Sequence, residues 1–223
     1  MLKDNRIRVI IGHYGSGKTE FAINYAIELA KEKDKIALAD LDVVNPYFRS
    51  REMQQLLEEK GIKVISSYVT GSGSDLPSVT ADVLGPLQDK ECNVILDVGG
   101  DAMGARTLGR YKAYFQKGEY DMFCVINGNR PGTQDLNGIL HHIATIEATS
   151  RARITGLINN THLLRHTTIN EVLKGQELTQ QASEKLNIPI KYVSVMESLV
   201  ADLPKDLEGE IIPIRMIMRE DWM

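Results

Sequence analysis

The sequence predicts an α/β fold in three layers: a mostly parallel β-sheet with helices on both faces. Short apolar runs alternate with longer helix-patterned stretches along all 223 residues. The apolar runs are nearly continuous in hydrophobicity, as strands covered on both faces are. The connections are short, and no linker, repeat or low-complexity segment divides the chain, so one domain over residues 1–223 is expected.

The strands are expected at 6–11 (RIRVII), 35–39 (KIALA), 63–66, 93–96 (NVIL), 122–126 (MFCVI), 153–158 (RITGLI) and 190–195. Between them, residues 18–32 place Phe21, Tyr25, Leu29 and several alanines at spacings of three and four, one face of a helix. Residues 51–59, 78–88, 106–115, 134–149 and 168–186 carry similar patterns, and Gly61, Gly118, Gly132 and Pro189 mark joints. Residues 70–75 (TGSGSD) read as a loop ahead of a helix signalled by Leu76 and Pro77. In the tail, residues 210–223, apolar side chains alternate as in an extended segment, which is expected to fold back on the core, with a methionine-rich tail that serves an interface as the alternative.

Composition narrows the function classes. With 43% hydrophobic residues the chain has ample material for a core without disulfides. The net charge is −4 and Lys and Arg are not clustered, so no nucleic-acid partner is expected. Cys92 and Cys124 lie beside or within apolar runs and form no CxxC pair, which reads as two buried thiols. No apolar run approaches the ~20 residues of a membrane span, and the amino terminus lacks a signal-peptide pattern, so a cytoplasmic location is expected.

Three motifs carry chemistry. Gly12-His13-Tyr14-Gly15-Ser16-Gly17-Lys18-Thr19 satisfies GxxxxGK[ST] between an expected strand and an expected helix. Glycines let consecutive backbone N–H groups turn toward phosphate oxygens, and the helix that begins near Lys18, with Glu20 in its first turn, adds its positive end. Lys18 is expected to reach the β- and γ-phosphates, and the Thr19 hydroxyl to ligate Mg2+. Asp40 and Asp42 stand one residue apart at the carboxyl end of the second strand, where ligands of open α/β sheets bind. One is suited to holding magnesium or its water, the other to orienting an attacking water. Asp97 ends the apolar run VIL in the manner of a Walker B carboxylate, and Gly99-Gly100 follow, letting the backbone approach a γ-phosphate.

Taken in order, GHYGSGKTE, ADLDVVNPYFR, SDLPSVTADV, ILDVGG and GLINN resemble the MinD/ParA/CobQ/CobB group of P-loop proteins. The wider class includes nitrogenase iron protein and the signal-recognition GTPases. The resemblance implies a P-loop NTPase fold, ATP/ADP and Mg2+ as cofactors, and Asp42 as the residue that handles the water beside Lys18. It assigns magnesium to Thr19, Asp40 and Asp97, the purine base to Asn160, and a base wall to residues 188–190, Pro189 among them, with the loop after Val195. One position departs from the group: where its signature lysine stands, this chain has His13. Imidazole titrates near ~6.5 and is a poor substitute for a fixed cation. Arg49, Arg51 and Arg130 are alternative cations near the expected site. Cys92 and Cys124 do not match the cluster ligands of the iron–sulfur members, and the terminal membrane helix of MinD has no counterpart here, so neither a cluster nor a membrane anchor is expected.

The implied function is a Mg-dependent ATPase working as a nucleotide switch on a protein partner, with a homodimer as the group's precedent. The alternative is an ATP-dependent, carboxylate-activating enzyme of the CobQ/CobB/dethiobiotin-synthetase type, with a substrate pocket from residues 70–75 and 101–106. A nonhydrolysing binding protein is a third reading. A guanine-specific site is disfavoured because no Asp of an NKxD pattern follows Asn160.

Overall fold

The computed structural model describes residues 1–42, 51–66 and 81–218. Residues 43–50 (with Arg49), 67–80, the side chain of Arg51 and residues 219–223 lie outside the described part, and so do the readings made on them. Among the described residues the eight strands are β1 (Ile7–Gly12), β2 (Ile36–Asp40), β3 (Ile62–Ser66), β4 (Asn93–Asp97), β5 (Tyr120–Ile126), β6 (Gly156–Asn159), β7 (Ile190–Met196) and β8 (Glu210–Ile214). They form one parallel sheet in the order β3-β2-β4-β1-β5-β6-β7-β8. Parallel pairing places every strand's carboxyl end on the same edge, and β1 lies near the middle.

The helices are α1 (Lys18–Leu29), α2 (Arg51–Glu59), α3 (Leu84–Gln88), α4 (Ala102–Thr107), α5 (Leu136–Ser150) and α6 (Ile169–Leu186). Phe21, Tyr25 and Leu29 of α1 and Leu57 of α2 join Ile10, Leu38, Ile95 and Phe123 on one face of the sheet. On the other, Ala105 of α4, Ile139, Ile143 and Ile146 of α5, and Ala182 of α6 join Val9, Ile11, Leu96 and Met122. Alternate residues of β1 and β4 thus enter opposite cores, which is why these strands are mostly apolar, with Arg8, Asn93 and Asp97 the exceptions.

Local signals explain the boundaries. Asp101 caps α4 by accepting the Gly104 N–H at 2.6 Å, and Asp135 caps α5 by accepting from Gly138 at 2.9 Å. Thr168 and Glu171 form a capping box on α6, which ends at Asn187 with φ +53°. The helix expected at 106–115 instead starts at Ala102 and changes to a 3-10 segment over Leu108–Tyr114. The strand expected at 153–158 pairs only from Gly156. The tail joins the sheet as β8, parallel to β7, and Ile212 and Ile214 are buried in the core shared with α1.

Candidate nucleotide site

The loop between β1 and α1 needs glycine twice, since Gly15 and Gly17 have φ of +75° and +80°. Gly17 caps α1 with no side chain on the first turn's N–H groups. Those donors, at the positive end of a 12-residue helix, suit an anion. Two more glycines let neighbouring loops close on this one. A Cβ on Gly12 would lie 2.5 Å from the Val125 carbonyl oxygen of β5, and one on Gly100 would lie 1.7 Å from that of Gly12.

The sheet register brings the acidic residues together. Asp97 stands opposite Ile10 of β1 on one side and Asp40 of β2 on the other. The Thr19 hydroxyl donates to Asp97 Oδ2 at 2.6 Å. Oδ1 of the same carboxylate is buried with no hydrogen-bond partner among the described residues. Burial is the main cause that pushes Asp97 up to about 6, against Lys18 and the Thr19 hydrogen bond, which favour the anion. Asp40 Oδ1 accepts the Asp42 N–H at 2.9 Å, turning the chain at the end of β2. Lys18 Nζ then meets Asp42 Oδ2 at 3.0 Å with both side chains almost wholly buried. Gly99 packs on Asp42, its absent Cβ falling 3.2 Å from Oδ1.

A divalent cation fits this arrangement. The orphaned Asp97 oxygen beside the Thr19 hydroxyl supplies oxygen donors of the right kind. Among the described residues no group of three or more His, Cys, Asp or Glu side chains forms a self-sufficient cage. Magnesium is ordinarily held by one or two carboxylates together with phosphates.

A cavity opens from the loop toward the ends of β6, β7 and β8, and Lys18, Asn160, Val195, Met196, Met216 and Met218 are among its lining. Asn160 Nδ2 donates to the Ser16 carbonyl at 2.7 Å, and its Oδ1 accepts from Ser194. Each polar end of this carboxamide already holds one partner, so Asn160 ties β6 and β7 to the phosphate loop. The tail forms the far wall. Arg215 N–H donates to Asn24 Oδ1 at 2.9 Å while Asn24 Nδ2 returns to the Arg215 carbonyl at 3.0 Å. Glu20 accepts the Ile217 N–H at 2.6 Å and the Met218 N–H at 3.2 Å.

One expectation needs correction. Pro189 precedes β7, and its carbonyl accepts the Leu157 N–H at the amino end of the sheet. Being at the opposite end of its strand from the cavity, it is no base wall. Ser194, Val195 and Met196, at the strand's other end, line the cavity. His13 turns inward: its ring lies against Gly132 and meets His142 of α5 edge-on at 5.5 Å. Tyr14 is exposed on the rim of the loop. Ser194, Met216 and Met218 are not expected as site residues from the sequence: Ser194 falls within the strand expected at 190–195, and the two methionines within the alternating tail.

His142 is 8% exposed and its Nε2 has no hydrogen-bond partner among the described residues. Burial first, then His13 and His141, lower it to about 4. The unfolded chain therefore binds a proton between about pH 6.5 and 4 that the folded chain refuses, so stability falls as pH drops through this window. Between pH 6.5 and 4.5 the wild type is expected to lose about 2 kcal/mol more than His142→Leu. Urea unfolding at both pH values checks this; equal losses would show that the imidazole is not held neutral.

Comparison with known proteins agrees with this geometry at the level of fold. No protein-family model matches the sequence, and no curated protein matches it. Among solved structures, cell division protein FtsY from Thermotoga maritima is 24% identical with a TM-score of 0.60, over 85% of this chain and 61% of that one. A signal recognition particle receptor FtsY from Elizabethkingia anophelis in complex with GDP is 21% identical, TM-score 0.52, over 86% and 57%. A nucleotide-binding protein from Archaeoglobus fulgidus in complex with ADP is 12% identical, TM-score 0.51, over 90% and 86%. The chain thus spans about three-fifths of the length of the FtsY structures. It has the α/β fold of P-loop NTPases, and the fold is shared by a GDP complex and an ADP complex. Among the described residues no helix is long and apolar enough to cross a membrane.

Proposed function

We propose that this chain is a magnesium-dependent ATPase of the MinD/ParA/CobQ/CobB type, acting as a nucleotide-dependent switch on a protein partner. The observation that carries the reading is the joining of three loops at one helix end, through Thr19 to Asp97 at 2.6 Å and Lys18 to Asp42 at 3.0 Å. The uncapped N–H groups of α1 and the Lys18 ammonium bind and orient the phosphates. Thr19 and Asp97, with Asp40 beside them in the sheet, would hold Mg2+, which supplies charge neutralisation on the β- and γ-phosphates. Asp42, released from Lys18 as that ammonium engages phosphate, accepts a hydrogen bond from the attacking water and orients it.

The Lys18–Asp42 pair also supports the switch. It links the phosphate loop to the end of β2, and Gly99 rests on the same carboxylate. A change in the phosphate reaches both neighbouring loops through these contacts. The reading of adenine over guanine draws its support from the cavity wall. Glu20, its lining carboxylate, accepts the tail's N–H groups, and methionines supply adaptable apolar contact. For the carboxylate-activating alternative, Asp101 is engaged as the α4 cap and residues 70–75 lie outside the described part.

Titration with Mg2+ and ATP, ADP or GTP tests the reading, with molecular mass followed on the same samples. ATP is expected to bind at least tenfold more tightly than GTP. Asp42→Asn is expected to keep ATP affinity within a few-fold while hydrolysis falls by roughly a hundredfold or more, the scale of a lost proton-handling group. Unchanged hydrolysis in that variant would remove Asp42 from the mechanism, and a wild type that binds no nucleotide would end the proposal.

A further inference from the structure

A cation outside the motifs stands against the phosphate loop. Arg130 lies in the turn after β5, and its backbone is held from both sides. Its N–H donates to the Asn127 carbonyl at 3.1 Å, and its own carbonyl accepts the Thr133 N–H at 2.9 Å. Asn127 Oδ1 accepts the Asn129 N–H at 3.0 Å, and the Thr133 hydroxyl donates to the Asn127 carbonyl at 2.8 Å. A turn bonded this closely presents its side chain from a fixed base.

The side chain crosses to the loop, where Nε donates to the Gly15 carbonyl at 2.9 Å. Contact is close enough that a Cβ on Gly15 would fall 3.0 Å from Nε and 3.2 Å from Cζ. The guanidinium is half-buried and lines the same cavity as Gly17 and Lys18. Of its five N–H donors, only the one on Nε has an acceptor among the described residues. The four on Nη1 and Nη2 are left for a ligand, on a planar fork that suits phosphate oxygens.

We infer that Arg130 is a phosphate-binding residue contributed in cis: Nε anchors the guanidinium to the loop, and Nη1 and Nη2 bond the nucleotide's polyphosphate beside Lys18. Because the fork is already anchored, little side-chain entropy is lost on binding. The inference rests on the nucleotide-binding reading above. It assigns this chain a second fixed positive charge at the phosphates, at a loop where His13 turns its ring inward instead.

The test uses Arg130→Gln and Arg130→Ala, titrated calorimetrically with Mg-ATP and Mg-ADP, with thermal unfolding followed in parallel. Glutamine places its Nε2 where arginine has Nε, so it keeps a donor for the Gly15 carbonyl and removes the charged fork. Both variants are expected to bind ATP and ADP at least tenfold more weakly than wild type, with glutamine no better than about twofold over alanine and with melting temperatures unchanged. Wild-type affinity in Arg130→Gln, whether or not alanine is weak, would overturn the inference and leave Arg130 a tether for the loop. A wild type that binds no nucleotide would instead remove the underlying reading, and this assignment with it.

Discussion

Lys18→Ala is expected to weaken ATP binding by a hundredfold or more and to abolish measurable hydrolysis. Lys18 opens α1 at the point where the loop's glycines turn the backbone. A charge-assisted hydrogen bond contributes about 1.5–3 kcal/mol, so bonds to two phosphates lost together amount to roughly 3 kcal/mol or more. That corresponds to about a hundredfold in affinity. The substitution has a second consequence, because Lys18 is the cation 3.0 Å from the buried Asp42 carboxylate. Deleting one partner of a buried pair ordinarily costs a few kcal/mol, so the single variant is expected to unfold earlier. The double variant Lys18→Ala/Asp42→Asn removes both charges and separates the effects. It is expected to regain much of the lost stability, read by urea unfolding, while ATP affinity stays as low as in Lys18→Ala. Recovery of binding along with stability would mean that Lys18 serves the fold and not the phosphate.

The parts of this site that the sequence makes legible are those formed by neighbours in the chain. The run RIRVII, the glycines at 12, 15 and 17 and the pattern of Phe21, Tyr25 and Leu29 are contiguous, so strand, turn and helix follow from local chemistry. Asp97 was legible for a related reason: a strand buried on both faces is apolar until it ends, and the carboxylate marks the end. The cavity beyond Asn160 was not legible, because it depends on which strands lie side by side. Only the order β6-β7-β8 sets Ser194 against Asn160, and only the docking of the tail on Glu20 and Asn24 brings Met216 and Met218 across from the loop. Pro189 shows the same limit. It is close in sequence to residues that line the cavity, yet it precedes β7 by one position and so lies at the wrong edge of a parallel sheet. Arg130 reaches Gly15 from 115 positions away, a contact that residue type suggests and topology alone supplies.

Gly100→Ala is expected to have the largest structural effect of any single methyl added near the site. The new Cβ would lie 1.7 Å from the Gly12 carbonyl oxygen, 2.6 Å from its carbon and 3.1 Å from His13 Cα. All three are backbone atoms, so no rotamer change relieves the clash. Either β4's loop parts from the phosphate loop or the fold loses stability on the scale of severe core overpacking, about 3 kcal/mol or more. Both outcomes move Asp97 and the loop glycines relative to Thr19, so nucleotide binding is expected to fall at least tenfold even where the protein remains folded. Gly109→Ala is the matched control. It lies in the 3-10 segment with nothing within 4 Å of the added Cβ, and its stability is expected to stay within about 0.5 kcal/mol of wild type. Denaturant unfolding and ATP titration of the two variants side by side check the argument. If Gly100→Ala matched Gly109→Ala in both, the loops after β1 and β4 would not be in backbone contact, and the meeting of Thr19 with Asp97 would lose its structural basis.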